Sequence, residues 1–105
     1  MNIKRADWEA YQFQGIKNVI ETLVDSAMEK QNESSFHALY TFLKLYKDQC
    51  SRELFLKALA LIPDNILGIL IRFAREYAYD KEFSDFIAHH RTAIYYRSEM
   101  PELND

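Results

Sequence analysis

The sequence predicts an all-α fold, and three observations carry the prediction. Apolar residues recur at three- and four-residue spacing along much of the chain. Glycine and proline number only two each in 105 residues, too few for the tight turns of a β-rich domain. Serine, aspartate and proline fall at the breaks between the apolar-periodic segments, where helices are capped and stopped. With 49% hydrophobic residues, a chain of this length can bury a core without disulfides or metals. The expectation is a single compact five-helix domain over 1–100, in which two short apolar central helices (about 52–62 and 64–79) pack against three amphipathic ones. A flexible acidic tail follows over 101–105.

The first helix is expected to start near Asp7, whose carboxylate can cap free amides, and to end near Lys30. Ile16, Val19, Ile20, Leu23, Ala27 and Met28 form its apolar stripe, extended by Trp8 and Tyr11 toward the N-terminus. Lys17, Glu21, Asp25 and Glu29 line the opposite side. Gly15 interrupts this helix and costs roughly 1 kcal/mol relative to alanine. It marks a bend or a close helix crossing.

A polar link, Gln31 to Ser35, precedes the second helix. Phe36, Leu39, Tyr40, Leu43 and Tyr46 share one stripe there, and Phe42 and Leu45 widen it. Ser51 reads as the next N-cap, with Glu53 in the first turn, where the helix dipole favours an anion. The third helix is apolar almost all round, and Pro63 ends it by disfavouring the α conformation of Ile62. Asp64 is placed to cap the fourth, whose first turns, Ile66 to Ile71, also lack a polar face. Helices apolar on every side are enclosed on every side, so these two are assigned to the centre. Asp80 caps the fifth helix, which points Phe83, Phe86, Ile87, His90 and Ile94 inward and fades near Ser98, ahead of Pro101. The string Phe-Leu-Lys occurs at 42–44 and again at 55–57. The two copies lie 13 residues apart and play different roles, so they do not make a helical repeat, whose periods start at about 33.

Thirteen Lys and Arg against sixteen Asp and Glu give a formal charge of −3, which argues against a general nucleic-acid binder. The single cysteine, Cys50, excludes an internal disulfide and fits a reducing compartment. No segment reads as a signal peptide or a membrane span, so the expected location is cytoplasmic.

Catalytic signatures are missing: no Gly-rich phosphate loop, no nucleophile elbow and no zinc-type cysteine spacing. Glu82, Asp85 and His89 share one helical face, but that face points to water and has no second copy on another helix. Glu33 and His37 are a similar isolated pair. His89 and His90 point about 100° apart and cannot readily chelate one ion. Cys50 has Lys47 and Arg52 nearby, which would lower a thiol pKa, but no base beside it. No cofactor or metal is expected, and the chain reads as a non-enzyme.

What remains is aromatic content: seven Phe, seven Tyr and one Trp. Tyrosine joins an apolar body to a polar tip and suits protein interfaces. Tyr77, Tyr79, Tyr95 and Tyr96 fall near helix ends, and with Arg91 and Arg97 they form the expected partner-binding set. The leading expectation is a small regulator, inhibitor or adaptor that binds another protein, one with basic patches, or forms a homodimer. A nucleic-acid-associated protein is the alternative, and requires Arg72, Arg75, Arg91 and Arg97 on one continuous face with Tyr95 or Tyr96. A metal-dependent hydrolase built on Glu82, Asp85 and His89 comes third.

Overall fold

A computed structural model describes residues 5–99, and side chains from residue 11 to residue 91. The described chain is all-α, with five helices: α1 (Arg5–Lys30), α2 (Glu33–Gln49), α3 (Arg52–Leu59), α4 (Asp64–Glu76) and α5 (Lys81–Glu99). Both short helices, α3 and α4, pack against α1, α2 and α5, so the expected arrangement of two central helices among three amphipathic ones is the one observed. The caps proposed at Asp7 and the stripe residues Trp8 and Ile94 lie outside the described side chains, as does the tail 101–105.

Helix α1 runs without a break through Gly15 and ends at Lys30. Gln31 closes it in the left-handed region (φ 49°), and its amide donates to the Ala27 carbonyl at 2.9 Å. Its buried stripe is turned relative to the expected one. Ile20, Val24 and Ala27 are buried, whereas Val19 and Met28 reach water. Val24 follows Ile20 by four residues and precedes Ala27 by three, so it completes the seam that Val19 and Met28 only flank.

Helix α2 starts earlier than the link predicted. Asn32 is the N-cap: its side chain accepts from the Ser35 amide (2.9 Å), while the Ser35 hydroxyl donates to the Asn32 carbonyl (2.8 Å). The expected stripe is found inward, with Phe36, Leu39, Leu43 and Tyr46 buried and Tyr40 packed against them; Leu45 faces water instead. Ser51 caps α3 as expected, its hydroxyl accepting from the Leu54 amide at 3.2 Å.

Both central helices are shorter than their apolar runs. Beyond Leu59 the chain tightens, and the Leu61 and Ile62 amides donate to carbonyls three residues back, Ala58 and Leu59. Pro63 at the next position requires that exit from the α conformation. Helix α4 stops at Glu76 because Tyr79 turns left-handed (φ 53°), which lets the Asp80 amide reach back to the Ala74 carbonyl at 2.8 Å. This bond spans six positions, one more than the 6→1 bond of a Schellman closure, and lies beyond the α4 C-cap, Tyr77. Neither helix is enclosed all round. Lys57 on α3 and Ala60 at its C-cap are exposed, and Ile69 on α4 is 42% exposed. Asp64 does not cap α4: Pro63 holds the cap position and makes no side-chain bond there.

The core is aromatic at its centre. Phe55 and Phe83 are fully buried and tilt against each other at 6.4 Å, and Tyr40 meets Phe83 edge-on at 5.4 Å. Most of the phenylalanines are therefore spent inside rather than at a surface. At the α4–α5 crossing, the fully buried Ser84 donates to the Ile71 carbonyl at 3.0 Å, which settles its hydroxyl without water.

Candidate functional site

Of the expected partner-binding residues, the side chains of Tyr77, Tyr79 and Arg91 are described, and the two tyrosines stand at the other end of α4 from Arg91. Tyr77 and Tyr79 stand at the exit of α4, with 61% and 88% of their surfaces exposed. Tyr77 stacks on Phe73 at 5.5 Å between ring centroids, so its position is held from beneath. Tyr79 projects from a left-handed backbone position. Beside them a shallow cleft of about 260 Å³ runs between α4 and the α1–α2 turn, with Phe36 and Phe73 as its apolar floor and Ile69 and Tyr77 along its edge. Glu33 and Glu76 rim it on the acidic side, and Arg72 supplies one cation.

Arg91 is engaged within the fold. Its Nε and Nη2 donate to the two carboxylate oxygens of Asp64 at 2.7 and 2.8 Å, and Nη2 also reaches the Asp64 carbonyl at 3.1 Å. Hydrogen bonding to that guanidinium holds the Asp64 carboxyl below its ordinary range and raises Arg91. Gly68 leaves room for the guanidinium, because a Cβ there would lie 3.1 Å from Arg91 Nη2 and crowd it. Tyr95, Tyr96 and Arg97 belong to the last turns of α5, and their side chains lie outside the described residues.

The four arginines of the nucleic-acid reading divide in the same way. Arg75 pairs with Asp85 at 3.3 Å and Arg91 with Asp64 at 2.7 Å. Arg72 sits on the rim of the cleft, and Arg97 is not described. A continuous face of free cations is therefore not what the described residues present.

The strongest polar cluster is built around Asp80, which the sequence marked only as a cap. Oδ1 does accept from the Phe83 amide at 3.0 Å, as an N-cap should. Oδ2 takes the Tyr40 hydroxyl at 2.7 Å and the Lys44 ammonium at 2.7 Å. These donors, Lys44 first, hold the Asp80 carboxyl down at about 2. Burial, followed by the hydrogen bond and charge of Asp80, pushes the Tyr40 phenol up to about 12. Lys44 also lies 5.5 Å above the Phe83 ring. The cluster ties α2 to the α4–α5 turn, and every polar atom in it has a partner, so it serves the fold.

A second polar group lies where α2, α3 and α5 meet. Arg52 donates to His90 Nε2 at 2.9 Å, His90 packs on Phe86 at 4.7 Å, and Lys47 stands 5.0 Å above the Phe86 ring. Burial first, then the electrostatic influence of Arg52 and His89, lowers the pKa of His90. Cys50 differs from its sequence reading: burial raises its thiol pKa, against a smaller opposing effect of a Tyr46 hydrogen bond. Lys47 is drawn to Phe86 and Arg52 to His90, so neither cation activates the thiol. Among the described residues, no three His, Cys, Asp or Glu side chains converge as metal ligands, and Asp85 is turned toward Arg75.

Among the described residues, no single helix is long and apolar enough to cross a membrane; α3 and α4 reach that composition only together, and they meet at a 116° bend. Comparison with protein-family models, with curated proteins and with solved structures finds no match.

Proposed function

We propose that this protein works by binding another protein, as a non-enzymatic regulator, inhibitor or adaptor in the cytoplasm, through the exit of α4. The observation that supports this reading is Tyr79. Left-handed backbone costs a residue with a side chain roughly 1–2 kcal/mol, and such positions normally carry glycine. Here a tyrosine occupies the position with 88% of its surface in water. Neither the backbone nor the core gains from it. A large amphipathic ring held out on a fixed turn is instead suited to insertion into a partner, where aromatic anchors contribute most of the binding energy. Tyr77, stacked on Phe73, supplies a second anchor, and Glu33 and Glu76 favour a partner with basic patches.

The test is site-specific photo-crosslinking in source cells. A benzophenone side chain is placed at 77 or 79, and at Thr22 and Asp48 as remote exposed controls. The same discrete adduct from both 77 and 79, and from neither control, supports the reading, and a self-adduct identifies the partner as a second copy. Equal adduct patterns at all four positions would sink it.

A further inference from the structure

Gly15 has no evident role within the fold. A glycine in the interior of a helix weakens it relative to alanine, and such a residue is usually explained by a backbone that passes close by. Around Gly15 the opposite holds: a Cβ built there would meet no described atom within 4 Å. The space it leaves open is part of a groove of about 650 Å³ between α1, α2 and the start of α3. From α1 come Gln12, Gly15 and Val19, and the last of these is an apolar side chain 41% exposed. Tyr46 and Gln49 of α2 form the facing wall, and Cys50 and Leu54 close the end.

Among the described residues, none that lines this groove is charged, in a chain whose charged fraction is 28%. Apolar surface alternates there with the exposed side-chain amides of Gln12 and Gln49, which donate and accept hydrogen bonds. Its volume falls within the roughly 300–1,000 Å³ range of small-molecule sites, and it shares no lining residue with the cleft beside α4. We infer that the groove between α1, α2 and α3 is a binding site for an uncharged, amphipathic small molecule carrying a ring system, with Gly15 leaving the room that the ring occupies. A charged ligand would lose hydration in the groove and meet no counter-charge among its described lining residues.

The test uses the full chain and two probes that share an aromatic amine framework. N-phenyl-1-naphthylamine is neutral, and 1-anilinonaphthalene-8-sulfonate carries one negative charge. The neutral dye should bind saturably at one site per chain and slow alkylation of Cys50 by iodoacetamide at least threefold. Gly15→Leu fills the groove and should weaken the dye at least tenfold. Gly15→Ala should raise Tm by roughly 4 °C, through helix propensity alone. If Gly15→Leu fails to fold, Val19→Glu replaces it, because that position is already exposed and the new charge should expel the neutral dye. Three results would overturn the inference: non-saturable binding, dye that leaves Cys50 unprotected, or equal or tighter binding of the sulfonate. Undiminished dye binding to a folded Gly15→Leu or Val19→Glu variant would do the same.

Discussion

Replacing Tyr79 by glycine should stabilise the protein while removing its proposed anchor. The left-handed conformation at φ 53° costs a side-chain-bearing residue about 1–2 kcal/mol, which glycine avoids. Glycine returns about 0.5–1 kcal/mol of that through the greater freedom of its unfolded chain. With 88% of the tyrosine already in water, the lost burial amounts to no more than a few tenths of a kcal/mol. The net gain is about 0.2–0.7 kcal/mol, or roughly 1–5 °C in Tm for a domain of this size. Thermal unfolding followed by circular dichroism at 222 nm measures it. Tyr79→Ala is the control: it keeps the backbone cost, removes the ring, and should leave Tm within about 2 °C of wild type, as expected for an exposed site. A Tyr79→Gly variant no more stable than Tyr79→Ala would show that the turn carries no backbone cost. A fall in Tm with both would show that the ring supports the fold, and the argument for an outward-facing anchor would fail with it.

Other outcomes follow from the polar contacts. Asp80 has a folded pKa of about 2 against an ordinary value near 3.8, so its stabilisation is present above pH 4 and is lost as pH falls toward 2. Wild type should therefore lose on the order of 1–2 kcal/mol more than Asp80→Asn between pH 5 and pH 2 in urea titrations; parallel curves would refute the assignment. Gly68→Ala should gain little alone, because its Cβ would press on Arg91 Nη2 at 3.1 Å. In an Arg91→Ala background the same change should recover most of the roughly 1 kcal/mol of helix propensity, and a double-mutant cycle without coupling would contradict the geometry. The Cys50 thiol, raised by burial, should react with iodoacetamide at pH 7 more slowly than a free cysteine; faster reaction would mean an activated thiol.

Local signals in the sequence were legible and distant ones were not. The stripe from Phe36 to Tyr46 announces its buried face because three- and four-residue spacing is fixed by the helix itself. Ser51 and Asp80 announce their caps because a cap bonds an amide only three residues ahead. Asp64 looks like the same kind of residue, but its partner Arg91 lies 27 residues away and outcompetes the local amides. The Asp80 cluster depends on Tyr40 and Lys44 from another helix, so the sequence shows its cap and hides its hub. The ends of α3 and α4 were overrun for a related reason, since apolar residues continue past the point where the backbone turns. Of the expected site, Tyr77 and Tyr79 are exposed near helix ends as their type suggested. Arg91 is taken up by an ion pair that residue type alone could not reveal.

The antiparallel pair α4–α5 is fastened at both ends, by the Asp80 turn at one and by Asp64–Arg91 at the other, with Ser84 locked at the crossing between them. The two helices are consecutive in the chain and their farthest tie, Asp64–Arg91, is 27 residues apart, so closing the pair costs less loop entropy than pairing α1 with α4. That makes the pair the expected folding nucleus. Substitutions such as Ile87→Val should slow refolding, whereas Ile20→Val on α1 should mainly speed unfolding, a division that chevron kinetics can measure.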